Sequence, residues 1–328
     1  MKNEYVIDLN DRASSWIYPV EVKMPDGRVA EEQSTIVLPE GADRTFLVTA
    51  SIMKKIPDGA NPDESNMAHE HLVGYETFFI DSGKMWVYMD GKKALAKAGD
   101  ILHLQANQAH GMAFLEDTKY RLIAHNLSSC DDAAYSTKLK DKMPELAEDP
   151  EFMKARPAAD FSFRERPVFK EVPIEQFAPV RNPSRPLAEY KFDGATVKVL
   201  IERWENAGVT ELAMAELEPG FSAEWVKFPK YRELLYVRSG EVKFTVYNDE
   251  FTVHGECLVN IPKFAPHKLT AIKKSEVYDV GGLSRWSAFL QDYTSIKTYD
   301  PARLENPETL ETLRNRFGVN VKSISYKA

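Results

Sequence analysis

Seven histidines occur in this 328-residue chain, and three of them fall where they could share one bound partner. His69 and His71 stand two residues apart in AHEHLVGYETFFIDSG, and Glu76 follows five residues later. His110 closes the downstream stretch AGDILHLQANQAH. On a strand, residues two apart project to the same side, so the first two imidazoles can converge on one point. Glu76 has the opposite parity to His71 in an unbroken strand, but Gly74 lies between them. A turn or bulge there lets the carboxylate re-enter on the same side from the next strand. Three imidazoles and one carboxylate form a nitrogen-rich set. It suits one divalent transition metal, Fe(II), Mn(II), Ni(II), Co(II) or Zn(II), and is too rich in nitrogen for calcium or magnesium. One histidine alone would be ordinary strand filling. Four ligands at strand-compatible spacing point to a metal site made of His69, His71, Glu76 and His110.

The elements that must hold these groups read as β-structure. ETFFI, KMWVYM, AGDILHL and YRLIAHNL are short apolar runs separated by the turn segments IDSGK, MDGKK and KAGD. Glu76, Phe78 and Ile80 alternate with Thr77 and Phe79, and His110 shares a face with Met112 and Phe114. A second region, with VKVLIERW, VTELAMAEL, LLYVRSG, EVKFTVY and CLVNIP, reads the same way. Between them the chain turns polar, Lys/Glu-rich and proline-punctuated, which predicts a linker of short helices. DPARLENPETLETLRNRFG predicts helix near the C-terminus. The division expected is residues 1–130, a linker over 131–180, and a second domain over 181–328.

The two strand-rich regions look like copies. Glu76 and Gly83 have counterparts in Glu233 and Gly240, and His110 in His267, each 157 residues later; Gly99 and Gly255 are 156 apart. Ser-Gly turns recur in many β proteins, but a glutamate and a histidine in step with them argue for duplication. Counted by this offset, Val226 and Phe228 replace His69 and His71. Only Glu233 and His267 then remain, which predicts a second barrel that holds no metal, with a buried Glu–His pair in its place or, as the alternative, a metal-free small-molecule pocket in which Lys227, Lys230 and Arg232 could pair an acidic ligand.

The pattern H-x-H-x4-E-x6-G, followed by G-x10-H, resembles the two conserved segments of the cupin superfamily. The resemblance covers the core of the first half and, through the repeat, extends to the second. It implies an all-β chain of two jelly-roll β-barrels, a bicupin, with a helical linker and a C-terminal helical tail. It carries the family's metal ligands onto His69, His71, Glu76 and His110. Cupins often have a P-x-G turn before the last histidine, and Gln105-Ala106-Asn107 stands there in this chain. Among two-domain cupins the arrangement looks similar to quercetinase-like dioxygenases.

Composition bounds the partners. A net charge of −8 argues against nucleic acid and anionic membranes. No apolar run reaches the roughly 20 residues that span a bilayer, and the charged start MKNEYVIDLNDR lacks the core of a secretory signal. Cys130 and Cys257 are far apart and in no ligand spacing, which suits reduced, structural thiols and a cytoplasmic protein. The expected partner is a small-molecule substrate, with a homodimer left open. His103, His125 and His254 read as strand or turn residues. Tyr75, Trp86, Tyr88, Met112 and Phe114 read as barrel filling that could also line a pocket.

A site of this kind leaves coordination positions open, as catalytic sites do. The leading expectation is a metal-dependent dioxygenase, an oxidoreductase acting on an enol or phenol, with Glu76 as catalytic base. The alternatives are a redox-neutral isomerase, lyase, decarboxylase or hydrolase on a keto or sugar-acid substrate, and a non-catalytic ligand-binding bicupin.

Overall fold

The structure is a computed structural model. It describes residues 3–10, 17–23, 29–37, 47–66, 69–71, 74–125, 143–149, 151, 161–163, 168–206, 208, 211–227, 233–281 and 286–327. The chain divides into two compact units, one of Asp11–Asn182 and one of Met1–Asn10 with Pro183–Ala328. Each is a two-sheet β-barrel of the expected jelly-roll type.

In the first unit, the sheet that carries the histidines runs in the order Phe161–Phe163, His69–His71, His110–Phe114, Lys84–Met89, Lys92–Lys97, Lys170–Glu171. Facing it is a sheet whose middle strands are Ile101–Leu104, Tyr75–Ser82 and Thr118–His125, extended on one side by three strands from residues 17–53. Alternation puts Phe78, Ile80, Leu102, Leu104, Tyr120 and Leu122 on the inner face of this sheet. Met85, Val87, Met112 and Phe114 meet them from the other. Burial of this apolar set is the main force holding the barrel.

The second unit repeats the plan. One sheet centres on Glu233–Ser239, flanked by Cys257–Ile261 and Ser275–Asp279. The other runs Asp249–His254, Glu241–Val246, His267–Ala271, Phe221–Lys227, Val319–Tyr326. The duplication is clearest in the backbone. Left-handed residues occur at Gly83, Asp90, Gly99 and Asn107, and again at Gly240, Tyr247, Glu256 and Phe264. Every pair is 157 residues apart. At Gly83 a side chain would collide with Thr118, and at Gly240 with Ser275, again an equivalent pair. The counterpart of Gly99 is therefore Glu256 and not Gly255, whose φ is not positive. The turn has been kept while its glycine moved one residue along.

Three features differ from the sequence reading. The strand Val6–Asp8 pairs with Cys257–Ile261, so the first residues belong with the second barrel. The stretch read as linker supplies edge strands to the first barrel: Phe161–Phe163 pairs with His69–His71, and Val180–Arg181 with Ile101–Leu104. The rest of it contains the short helix Pro144–Ala147, and much of 126–160 lies outside the described residues. Finally, the helical tail ends in a strand. The helix Trp286–Tyr299 comes first, and then Pro307–Phe317. Asn306 caps the latter through Glu308 N, and Gly318 in the left-handed region ends it. Val319–Tyr326 then pairs along Phe221–Lys227. Among the described residues no helix is long and apolar enough to cross a membrane.

Candidate metal centre

Two antiparallel strands and one neighbour build the site. His69 and His110 are direct partners across the ladder, which places their side chains on one face. His71 lies two residues further along the same strand. The next strand, Tyr75–Ser82, belongs to the opposite sheet, and from it Glu76 comes within reach of the histidines. The four residues offer ligand atoms that all lie within 4.8 Å of one another. Glu76 Oε2 is 3.0 Å from His71 Nε2 and 3.3 Å from His110 Nε2. The His69 ring stands 4.4 Å from that of His110 and 5.0 Å from that of His71. His71, Glu76 and His110 are buried, and His69 is half-buried.

The donor set fits a cation. His110 Nδ1 lies 2.8 Å from the Gln108 carbonyl, which can only accept, so this nitrogen carries the proton and Nε2 presents its lone pair. His110 Nε2 and Glu76 Oε2 face each other at close range, buried and without a hydrogen bond. Burial by itself would raise the Glu76 carboxyl, and only positive charge on His110 and His71, with their ring N–H groups donating, would hold it far below the usual range. A metal cation at the same point would supply that positive charge in their place and keep the group a carboxylate. Buried acceptors packed against one another call for a positive charge among them.

The surrounding wall is apolar. Leu104 is paired with Glu76, Met89 with His110, and both belong with Phe78 and Met112 to the barrel core. His103 alternates to the other face, where its Nδ1 meets Thr77 Oγ1 at 3.1 Å and its ring stacks on Tyr75. Tyr88 likewise turns away from the histidines, with its hydroxyl donating to Asp63. The Gln105-Ala106-Asn107 departure has a simple explanation. Asn107 takes the left-handed conformation that a glycine would supply, and its N–H donates to His71 O.

The second barrel keeps the frame and changes its contents. His267 Nε2 is 3.1 Å from Glu233 Oε2, and His267 Nδ1 meets the Ala265 carbonyl as His110 meets Gln108. The place of His69 is taken by Trp225, not by Val226 as the fixed offset implied. Trp225 is the ladder partner of His267, with rings 4.4 Å apart, and Val226 lies outside the inner core cluster. The chain from Trp225 to Glu233 is one residue longer than from His69 to Glu76, so counting back misses it. Lys227 then stands at the His71 position, and Phe228 falls outside the described residues. The Trp225 indole N–H donates to Glu233 Oε2 at 3.2 Å.

Comparisons with known proteins agree with this architecture. Residues 59–126 match the model of the cupin domain family. A search of curated proteins finds no match. Among solved structures, the formate complex of Lactobacillus farciminis oxalate decarboxylase is 16% identical with a TM-score of 0.51, covering 93% of this chain and 97% of that one. Bacillus subtilis oxalate decarboxylase at pH 4.6 is 13% identical with a TM-score of 0.52, covering 92% and 84%. A structure of the same enzyme described for its Mn(II) centres is 13% identical with a TM-score of 0.52, covering 98% and 90%. At these identities the likeness is one of fold. The chain has the fold of a two-domain cupin protein, with a cupin domain matched over residues 59–126.

Proposed function

We propose that this protein is a metal-dependent enzyme whose first barrel cleaves or isomerises a small oxo- or hydroxy-carboxylic acid without net oxidation, decarboxylation being the favoured reaction. The observation that carries the reading is the cluster of His69, His71, Glu76 and His110, three of them buried, whose ligand atoms lie within 4.8 Å of one another beside the apolar core of the barrel. The similarity to oxalate decarboxylases supports this class over the dioxygenase expected from sequence. His69, His71 and His110 would hold one divalent metal together with Glu76, and Mn(II) is the ion named for one of the similar structures. Such a metal supplies Lewis-acid polarisation of a bound carboxylate or carbonyl.

The chain's own residues do the rest. The Gln108 carbonyl fixes the His110 ring so that Nε2 faces inward. Phe78, Met89, Leu104 and Met112 exclude water and leave the reacting carboxyl no polar wall to spread its charge on. When the C–C bond breaks and CO2 leaves, the electron pair left on carbon must be stabilised and then protonated. Glu76 is the acid–base group we assign as catalytic: as a carboxylate it would take a proton from the bound substrate before the bond breaks and return it to carbon once CO2 has left.

The test is CO2 release from a panel of small 2-oxo and dicarboxylic acids by Mn(II)-loaded protein, with and without oxygen. CO2 release without net O2 consumption is expected. Consumption of one O2 per turnover would assign the dioxygenase class instead. Glu76→Gln should lose far more turnover than metal.

A further inference from the structure

The second barrel contains a cavity of about 120 Å³ that the proposed reaction does not use. Its walls are almost wholly apolar. Ala213 and Ala215 leave the space open on the Leu212–Leu217 strand, and Trp225 borders it from the opposite sheet. Trp286, Phe289 and Tyr293 of the Trp286–Tyr299 helix also line it. Two carboxylates reach the lining. Asp279 is engaged as an anchor for the wall, accepting from Gly281 N and from the Trp286 indole. Glu233 accepts from Trp225 at one oxygen. A carboxylate has about four lone-pair positions, so Glu233 can accept a further donor from the cavity side.

We propose that this cavity is a metal-free binding site for a small neutral aromatic compound carrying one hydroxyl, which donates to Glu233. Size argues for a single ring, because an engineered apolar cavity of about 150 Å³ stays dry and takes up benzene. The indole and phenyl walls argue for an aromatic ring over an aliphatic one. A cation fits poorly, because burying a charge against walls of this kind costs more than one carboxylate already engaged by Trp225 and His267 returns. An anion would meet Glu233 and Asp279. The exchange of His69 for Trp225 thus does two things at once. It removes a ligand for a metal, and it supplies a flat face for a ring.

The probes are 4-fluorophenol and fluorobenzene, titrated into the full chain and followed by fluorine NMR and by melting temperature. 4-Fluorophenol is expected to give one saturable bound resonance and to raise the melting temperature by about 3 °C at ten times its Kd. It should bind at least tenfold more tightly than fluorobenzene, because the latter brings no donor to Glu233. Ala215→Leu fills the cavity and should abolish both signals. Glu233→Gln, a smaller change in shape, should erase most of the preference for the phenol while fluorobenzene binding persists. No saturable binding by either probe would overturn the proposal, as would binding that survives Ala215→Leu. Equal affinity for the two probes would overturn the role given to Glu233.

Discussion

The two barrels set a glutamate and a histidine in the same places and reach different outcomes. In the first, the ring beside His110 is His69, a second imidazole at 4.4 Å. In the second, the ring beside His267 is Trp225, also at 4.4 Å and nearly the same tilt. An imidazole can offer a lone pair, whereas an indole can only donate. Glu76 is therefore surrounded by groups that want a cation, and Glu233 has a hydrogen bond in its stead. Changes at two positions of one strand, Trp225 for His69 and Lys227 for His71, alter the electrostatic demand of the pocket, while the ladder pairing and the left-handed turns are kept.

The comparison breaks most visibly if a ligand is removed from each side. His110→Ala should lower metal affinity and turnover by about a hundredfold or more, whereas His267→Ala should leave both near normal; elemental analysis and turnover of the purified variants report this. Matching metal loss in the two variants would end the distinction between the barrels. The native chain should carry one metal, because among the described residues only the first barrel offers the set. Restoring the missing ligands with Trp225→His and Lys227→His should raise that count toward two per chain. A count that stays at one would show that the second pocket lacks more than its ligands.

A smaller effect separates structure from chemistry. Glu233→Ala strands the Trp225 N–H and His267 in a buried site and should cost about 1–3 kcal/mol, seen as an earlier urea midpoint with turnover of the folded enzyme unchanged. Paired Glu233→Gln and His267→Asn should be milder, since hydrogen-bonding capacity remains. A tenfold loss of turnover without loss of stability would make the second barrel part of the working site.

Much of this was legible in the chain itself. Strand alternation carries direction, so the spacing of His69, His71 and His110 already implied a common face, and the repeat followed from Glu76 and Glu233. What was hidden depends on single-residue shifts. The extra residue between Trp225 and Glu233 moves the counterpart of His69 from Val226 to Trp225, and no apolar pattern signals it. The terminal strand was obscured in the same way. Trp225 pairs with Val321 and Glu224 with Ser323, so Lys322 is bulged out and the alternation of VNVKSISY is interrupted. Edge strands such as Phe161–Phe163 are too short to announce themselves. The sign of φ at Glu256 is not written in its side chain at all.

That last point bears on how this protein could be improved. At three turns the first half uses Asp90, Gly99 and Asn107, residue types at ease in the left-handed region, while the second uses Tyr247, Glu256 and Phe264. Tyr247 and Phe264 are also about half exposed. The chain thus holds two drafts of one backbone, and the better wording of each turn can be copied across. Tyr247→Asp, Glu256→Gly and Phe264→Asn are each expected to stabilise the second barrel by no more than about 1 kcal/mol. Together they should delay its unfolding in urea with metal content unchanged, an engineering route that needs no template beyond the molecule's own other half.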